Sequence, residues 1–299
     1  MSTSVLSIQN LVKYYGNIKA LDGISYDIPK GCVFGILGPN GSGKTTTLGI
    51  VLNVLNQTSG NFLWFGKPSN ADTRKRIGSL LETPNFYHYL SAVENLKITQ
   101  AISRRGNKDD IDKVLEIVNL SQRKHSKFST YSLGMKQRLA IAAALLGNPE
   151  VLVFDEPTNG LDPVGIAEIR ELIKKLANEG KTIIMASHLL DEVEKVCTHV
   201  AIMKKGKLLA SGSVNEVLVN EDIVEVASED NLQLVKIFEH YSGIQQIKQE
   251  ENKLHLHFKV GTSNLKDINN YCFSNGIVLS LLTIKKKSLE AKFFELTNN

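Results

Sequence analysis

The stretch Gly38-Pro39-Asn40-Gly41-Ser42-Gly43-Lys44-Thr45 follows the apolar run Cys32-Val33-Phe34-Gly35-Ile36-Leu37 without a gap. Its pattern, G-x-x-x-x-G-K-[ST] between a buried strand and a helix start, has residue types that suit a chain of phosphates. Glycines let backbone N–H groups turn inward around phosphate oxygens, where side chains would block the approach. The helix that follows offers its positive N-terminal end to the same anion. Lys44 can reach the β- and γ-phosphates, the Thr45 hydroxyl can hold Mg²⁺, and Thr46 closes the candidate set. Average residue usage produces this pattern by accident in about one chain in a hundred. The stretch predicts a nucleotide-binding site.

A second constellation lies further along, where the apolar strand Val151-Leu152-Val153-Phe154 ends in Asp155-Glu156. In phosphoryl transfer the first acid at such a strand end holds Mg²⁺, directly or through water. The second can take the proton of an attacking water, an effect of roughly 10²–10⁴ in rate. A strand ending in solvated acids is the plain alternative, and the phosphate loop upstream decides against it.

Positioning these groups requires a sheet with helical crossovers, and the chain alternates accordingly. Val5–Gln9 and Gly23–Ile28 alternate as strands, the loop helix runs through Leu48 to Leu55, and Asn61–Lys67 reads as a strand with a glycine turn. From about Ser91 to Leu146 the pattern is helical, opened by the capping box Ser91-Ala92-Val93-Glu94 and carried on by Ile111, Val114, Leu115 and Val118. Strand Val151–Phe154, a helix marked by Ile166, Ile169, Leu172, Ile173 and Leu176, and strand Thr182–Ala186 then alternate, which argues a parallel sheet. His199–Lys204 and Lys207–Ala210 form a closing hairpin around Gly206. Composition shifts near Asn220. Beyond it the pattern gives strand 222–228, helix 230–241, strands 244–250 and 253–259, helix 263–275 and strand 277–285, with a final helix over Leu289–Leu296. That order is a β-α-β-β-α-β, ferredoxin-like unit. The expected division is an α/β nucleotide-binding domain over 1–220, with a helical subdomain at about 88–146, and a C-terminal α+β accessory domain over 221–299.

A net charge of +4 over 299 residues leaves no dense basic stripe, so a nucleic-acid partner is not expected. Lys285-Lys286-Lys287 is the one compact basic run, read as a solvated face ahead of a membrane-surface patch. No stretch approaches the roughly 18 apolar residues of a spanning helix, and Met1-Ser2-Thr3-Ser4 does not open a signal peptide. Cys32, Cys197 and Cys272 are odd in number and far apart, which suits small apolar packing in a reducing compartment. The expected location is cytoplasmic. His255 and His257 share a strand face but lack a third ligand at metal spacing, and read as solvated strand residues.

The phosphate loop, Tyr131-Ser132-Leu133-Gly134-Met135-Lys136-Gln137-Arg138, the Asp155-Glu156 strand, Gly160-Leu161-Asp162 and Ser187-His188 occur in this order. Over roughly residues 5–215 the set resembles the ATP-binding cassette (ABC) ATPases. The resemblance implies a P-loop NTPase cassette, a mixed-sheet core with a helical subdomain, that takes ATP and Mg²⁺. It also implies roles by position. Tyr15 resembles the aromatic that stacks on adenine, with Tyr14 as the competing candidate. Ser132 and Gly134 match the signature whose serine and glycine N–H contact the γ-phosphate held by the other subunit. Asp162 resembles the residue that communicates across the dimer, and His188 the switch histidine at the γ-phosphate. ATP then completes an interface between two copies, a homodimer or a heterodimer: binding closes it and hydrolysis releases it.

Two positions depart from the family pattern. Leu133 stands where the signature usually has glycine, and Glu82 stands where the Q-loop usually has glutamine, leaving an oxygen towards Mg²⁺ but adding charge. The Ser-x-Gly-Met-Lys-Gln signature and the Glu-Thr-Pro form of the Q-loop resemble the bacitracin- and lantibiotic-resistance branch, and Ser288–Leu296 resembles the closing segment of an accessory domain in related export ATPases. This implies an ATPase peripheral on the inner face of the cell membrane, driving a separate polytopic permease that exports a peptide antibiotic or similar amphiphile. In the family the region of Phe86, Tyr87 and Tyr89 lines a groove for a helix of the membrane partner; core packing explains these aromatics equally well. A soluble ABC ATPase acting on ribosomes or nucleic acid is the competing function. A single cassette, and a short interval between Lys44 and Ser132 without heptads, weigh against it.

Overall fold

The alternating N-terminal residues form two long strands, β1 (Ser4–Tyr15) and β2 (Ile18–Pro29), paired antiparallel. The computed structural model describes residues 4–81, 85–218, 222–250, 252–259, 261–285, 289, 292 and 293. The buried run before the phosphate loop is β3 (Val33–Leu37), and α1 (Lys44–Val51) follows the loop. Next come β4 (Ser59–Trp64), α2 (Ala71–Lys75), β5 (Ile77–Leu80), α3 (Ala92–Ser103), α4 (Lys108–Ile117) and α5 (Leu133–Leu145). The alternating half supplies β6 (Val151–Asp155), α6 (Pro163–Asn178), β7 (Thr182–Ser187), α7 (Leu190–Val196), β8 (His199–Lys204) and β9 (Lys207–Ser213).

Two sheets result, β2-β1-β4 and β5-β6-β7-β3-β8-β9. In the second, every pairing is parallel except β8 with β9. One apolar cluster runs from Leu6, Ile24 and Trp64 through Leu48 and Val51 of α1 to Phe34, Val153 and Ile184, tying both sheets to the helix behind the phosphate loop. The Trp64 indole N–H donates to the Val51 carbonyl at 2.7 Å, so even this fully buried ring keeps its polar atom paired. Burying side chains of this size stabilises by about 1.5–3 kcal/mol each. The phosphate loop therefore rests on a rigid base.

Two local outcomes differ from the pattern reading and one matches it. Helix α1 stops at Val51 rather than Leu55, because Asn53 turns left-handed (φ 60) and the Val54 and Leu55 N–H groups fold back onto the Gly49 carbonyl. Strand β5 has only four residues, too few for alternation to register. It is set by α5, buried from Leu139 to Leu145, and a Cβ on Gly78 would strike the Ala144 carbonyl. The capping box at Ser91 forms: its hydroxyl accepts the Glu94 N–H, and the Glu94 carboxylate accepts the Ser91 N–H.

The chain divides into compact units Met1–Ser213 and Val214–Asn299, a division earlier than Asn220 because the short helix α8 (Val214–Leu218) goes with the second. That unit contains β10 (Asp222–Ser228), α9 (Asn231–Phe238), β11 (Ile244–Glu250), β12 (Lys253–Phe258), α10 (Leu265–Ser274) and β13 (Leu279–Lys285). Its sheet is antiparallel in the order β11-β12-β10-β13, the ferredoxin-like arrangement, with Leu234, Phe238, Ile268 and Cys272 of the helices packed on Val224, Val226, Leu254 and Leu256. The expected helix over Leu289–Leu296 lies outside the described residues except at Leu289, Lys292 and Phe293.

His255 and His257 are not solvated: each is 4% exposed. His255 Nε2 lies 3.0 Å from Glu225 Oε1 and its Nδ1 3.3 Å from Glu250 Oε2, while Lys285 sits within 3.7 Å of both acids. These charge partners arrive by cross-strand register, Glu225 opposite His255, which the pattern of one strand cannot reveal. Among the described residues no group of three or more His, Cys, Asp or Glu could hold a metal.

Candidate functional site

Parallel pairing places the C-terminal ends of β3, β6 and β7 along one rim, with Leu37 opposite Ser187 and Asp155 opposite Ala186. Ligands of open α/β sheets bind at such a rim. The phosphate loop leaves it at Gly38, where a Cβ would strike Ser42 Oγ and come within 2.5 Å of the Met203 carbonyl. Gly43 has φ 105, and a Cβ there would lie 2.7 Å from the Ala20 carbonyl. Only glycine fits either position. Helix α1 then starts with no side-chain cap and no acid in its first turn, so its N-terminal end is left for an anion. The Ser42 hydroxyl is buried without a hydrogen-bond partner among the described residues. Thr45 is exposed at the same helix end and Thr46 half-buried. This cradle fits a phosphate chain, and the Thr45 and Asp155 oxygens are the hard donors that Mg²⁺ takes.

The structure brings Lys44, Glu156 and His188 together. Lys44 is 6% exposed; its ammonium donates to the Gly38 carbonyl at 2.8 Å and lies 3.6 Å from Glu156 Oε1. The other Glu156 oxygen is 2.8 Å from His188 Nδ1. Asp155 ends β6, buried at 3% exposure. Glu156 next to it adopts φ 49, a left-handed conformation that non-glycine residues rarely hold, while its N–H donates to the Ala186 carbonyl at 3.0 Å. Strain of this kind persists where the surroundings over-determine a residue. Here it aims the carboxylate over the phosphate loop.

Two helix starts carry the remaining polar candidates. Ser132 caps α5, its hydroxyl accepting the Met135 N–H at 3.3 Å, and Asp162 caps α6, accepting the Gly165 N–H at 2.8 Å with Pro163 in the first turn. Leu133 is half-exposed, and its Cδ2 lies 3.4 Å from where a Cβ on Gly160 would be. Among the described residues no hydrogen bond or ion pair joins Ser132 or Gly134 to Lys44, Glu156 or His188. Glu82 lies outside the described residues.

A family model described as ABC transporter matches residues 21–159. The chain is 35% identical to the bacitracin transport ATP-binding protein BcrA of Enterococcus faecalis, over 98% of this chain and 96% of that protein. The chain belongs to the ABC transporter ATP-binding proteins. This ABC ATPase is also 38% identical to BcrA of Bacillus licheniformis, over 99% and 98% of the two chains. Among solved structures, cbiO1 of Clostridium perfringens, part of the transporter complex cbiONQ, superposes with a TM-score of 0.65 at 33% identity, covering 72% of this chain and 90% of that one. The fold class is thus the P-loop ABC cassette, and members of the family bind and hydrolyse ATP.

Within the ABC cassette both tyrosines at the end of β1 are exposed. Lys13 Nζ lies 4.9 Å from the Tyr15 ring centre and Lys19 Nζ 5.5 Å from that of Tyr14. Their strand partners, Ile18 and Lys19, precede Ala20, whose carbonyl abuts Gly43, so this hairpin end lies beside the phosphate loop. The aromatic segment splits: Phe86 packs edge-on against Phe128, whereas Tyr87 and Tyr89 are exposed. Asn95, which sequence reasoning did not single out, is buried and holds both the N–H and the carbonyl of Tyr87. Phe86, Tyr87 and Asn95 line a groove of about 430 Å³ with Ile98 and Ile102.

Proposed function

We propose that this ABC ATPase is the motor of an exporter for a peptide antibiotic or similar amphiphile, working on a separate polytopic membrane subunit from the inner, cytoplasmic face. The near full-length likeness to two proteins named for bacitracin transport supports the substrate class. A lantibiotic transport ATP-binding protein, SrtF of Streptococcus pyogenes, is 39% identical over 74% of this chain and 98% of its own length. No helix among the described residues is long and apolar enough to cross a membrane, which is consistent with a separate permease. The exposed Tyr87–Ile102 groove is the surface we assign to that partner.

The observation that carries the catalytic reading is the Lys44–Glu156–His188 cluster at the rim, with contacts of 3.6 and 2.8 Å. The 38–46 loop binds the triphosphate of ATP through its backbone N–H groups, Pro39 having none to give, and Tyr15, or Tyr14 beside it, stacks on the adenine. Glu156 takes the proton of a water whose oxygen bonds to the γ-phosphorus, while the bond from that phosphorus to the oxygen of ADP breaks. Lys44 and His188 stabilise the charge that develops on the phosphate oxygens. Thr45 and Asp155 would hold Mg²⁺, with Glu82 as a further candidate; a bound ion there would supply positive charge against that of the triphosphate. Ser132 and Gly134 contact the γ-phosphate from a second subunit, and Asp162 couples the two. A homologous cassette, MJ0796, is known as a dimer bound to ADP and Pi, at 27% identity and a TM-score of 0.61 over 70% of this chain and 98% of that one.

The test is capture of tagged Glu156→Gln protein with ATP from detergent-solubilised cells, followed by mass spectrometry. A polytopic membrane protein in near-equal amount supports the motor reading; ribosomal proteins in its place would refute it. Exchange of Glu82 for glutamine should alter the Mg²⁺ dependence of turnover, and identical kinetics across a Mg²⁺ titration would remove Glu82 from the metal set.

A further inference from the structure

Asn95 lies in the second turn of α3 and is sunk in the protein at 1% exposure. Asparagine is a poor helix former, and its amide is costly to bury unless hydrogen-bonded. Its presence there needs a local reason, and the segment leading into the helix supplies one. Asn95 Oδ1 accepts the Tyr87 N–H at 2.8 Å, and Nδ2 donates to the carbonyls of Tyr87 and Ser91 at 3.1 and 2.9 Å. The Leu90 N–H closes a turn onto the same Tyr87 carbonyl at 3.2 Å, and the Ser129 N–H donates to the His88 carbonyl at 2.9 Å. One buried amide thus fixes both polar groups of the Tyr87 backbone.

Held in this way, the segment sorts its rings by alternation. Phe86 and His88 lie against the buried Phe128, with ring centres 5.3 and 5.5 Å from it. Tyr87 and Tyr89 are left outside, 51% and 68% exposed, with their own ring centres 5.9 Å apart. Tyrosines are the rings that anchor interfaces, because each brings a large apolar face and loses little conformational entropy. Among the described residues no charged one lines the groove, and Ile102 leaves 79% of its surface exposed there. A wall of this composition matches an apolar helix face and not a charged peptide.

We propose that Asn95 is the positioning residue for the membrane partner: it holds the Tyr87–Leu90 turn so that Tyr87 and Tyr89 stand as two anchors against an uncharged, apolar segment of that subunit. This rests on the assignment of the groove to the permease. Without the amide the turn loses its bonds at both polar groups of Tyr87, and association then includes the cost of ordering the two rings.

The test uses the full chain carrying Glu156→Gln, captured with ATP from detergent-solubilised cells, and reads the polytopic membrane protein recovered per cassette by quantitative mass spectrometry. Adding Tyr87→Ala/Tyr89→Ala, both at exposed positions, should lower that ratio about tenfold or more, as expected for two aromatic anchors. Asn95→Leu should lower it to a similar degree. Asn95→Asp keeps an acceptor for the Tyr87 N–H but has no donor for the two carbonyls, and should fall between. Titration of each purified chain with a fluorescent ATP analogue should give affinities within twofold of the parent, a separation that general loss of structure would not produce. Should Asn95→Leu fail to fold, Asn95→Asp and the exposed tyrosine pair decide the matter. The proposal is overturned if the tyrosine pair or the Asn95 variants recover the membrane protein at the parent ratio, or if nucleotide affinity falls in step with recovery. A parent chain that recovers no membrane protein would instead refute the permease reading, and this inference with it.

Discussion

Replacing Glu156 by glutamine keeps the size of the side chain and removes its capacity to take a proton. A positioned general base contributes roughly 10²–10⁴ in rate, which corresponds to about 3–5 kcal/mol in the barrier. The structure adds a second consequence. Glu156 Oε1 lies 3.6 Å from the nearly buried Lys44 ammonium, so the carboxylate competes with a γ-phosphate for that cation. A partly exposed pair of this kind is worth on the order of 1 kcal/mol, and its removal should tighten ATP binding about fivefold. Single-turnover phosphate release measures the first effect, and titration with a fluorescent ATP analogue the second. Size-exclusion chromatography with ATP should show the variant accumulating as a dimer, since closure occurs and release does not. A turnover within tenfold of the parent would refute Glu156 as the base. Lost turnover with unchanged affinity would keep the base and refute the competition for Lys44.

Other perturbations test separate parts of the structure. Gly38→Ala forces a Cβ against Ser42 Oγ and the Met203 carbonyl, and should abolish ATP-analogue binding; retained affinity would mean the loop tolerates what the geometry forbids. Burial pushes the Cys32 thiol up to about 12 and Cys272 up to about 11, and raises Cys197 as well, so a disulfide reagent at pH 8 should find no reactive thiol until the protein is denatured, when all three titrate. The Arg76 guanidinium, bonded to Glu150 at 2.6 and 3.0 Å, holds that carboxyl below its usual range. Because the folded value is the lower one, the pair stabilises above the unfolded carboxylate value and loses its contribution as pH falls through the folded value. Both groups are nearly half exposed, so Glu150→Gln should cost about 0.5 kcal/mol at neutral pH and nothing in strong acid, read from urea midpoints.

The phosphate loop, the alternation into a parallel sheet and the ferredoxin-like order were legible because each rests on local chemistry: glycines that a backbone approach requires, apolar runs of strand length, turns between them. What stayed hidden depends on chain segments far apart in sequence. Burial of His255 follows from Glu225 arriving by register on another strand. The glycine at position 78 of β5 is required by the Ala144 carbonyl of α5, which leaves no room for a Cβ. At the candidate site the hidden element is the conformation of Glu156. Nothing in Phe154-Asp155-Glu156-Pro157 announces a left-handed glutamate, because its partners are the Ala186 carbonyl of the neighbouring strand, Lys44 at the start of α1 and His188 just after β7. A residue held against its own preference costs roughly 1–3 kcal/mol, and a sequence can only afford this where the opposing contacts arrive together. The sequence motif thus identifies the acid, whereas its aim depends on three strand ends meeting at one rim. That dependence explains how residues so distant along the chain, Lys44, Glu156 and His188, come into contact at one place.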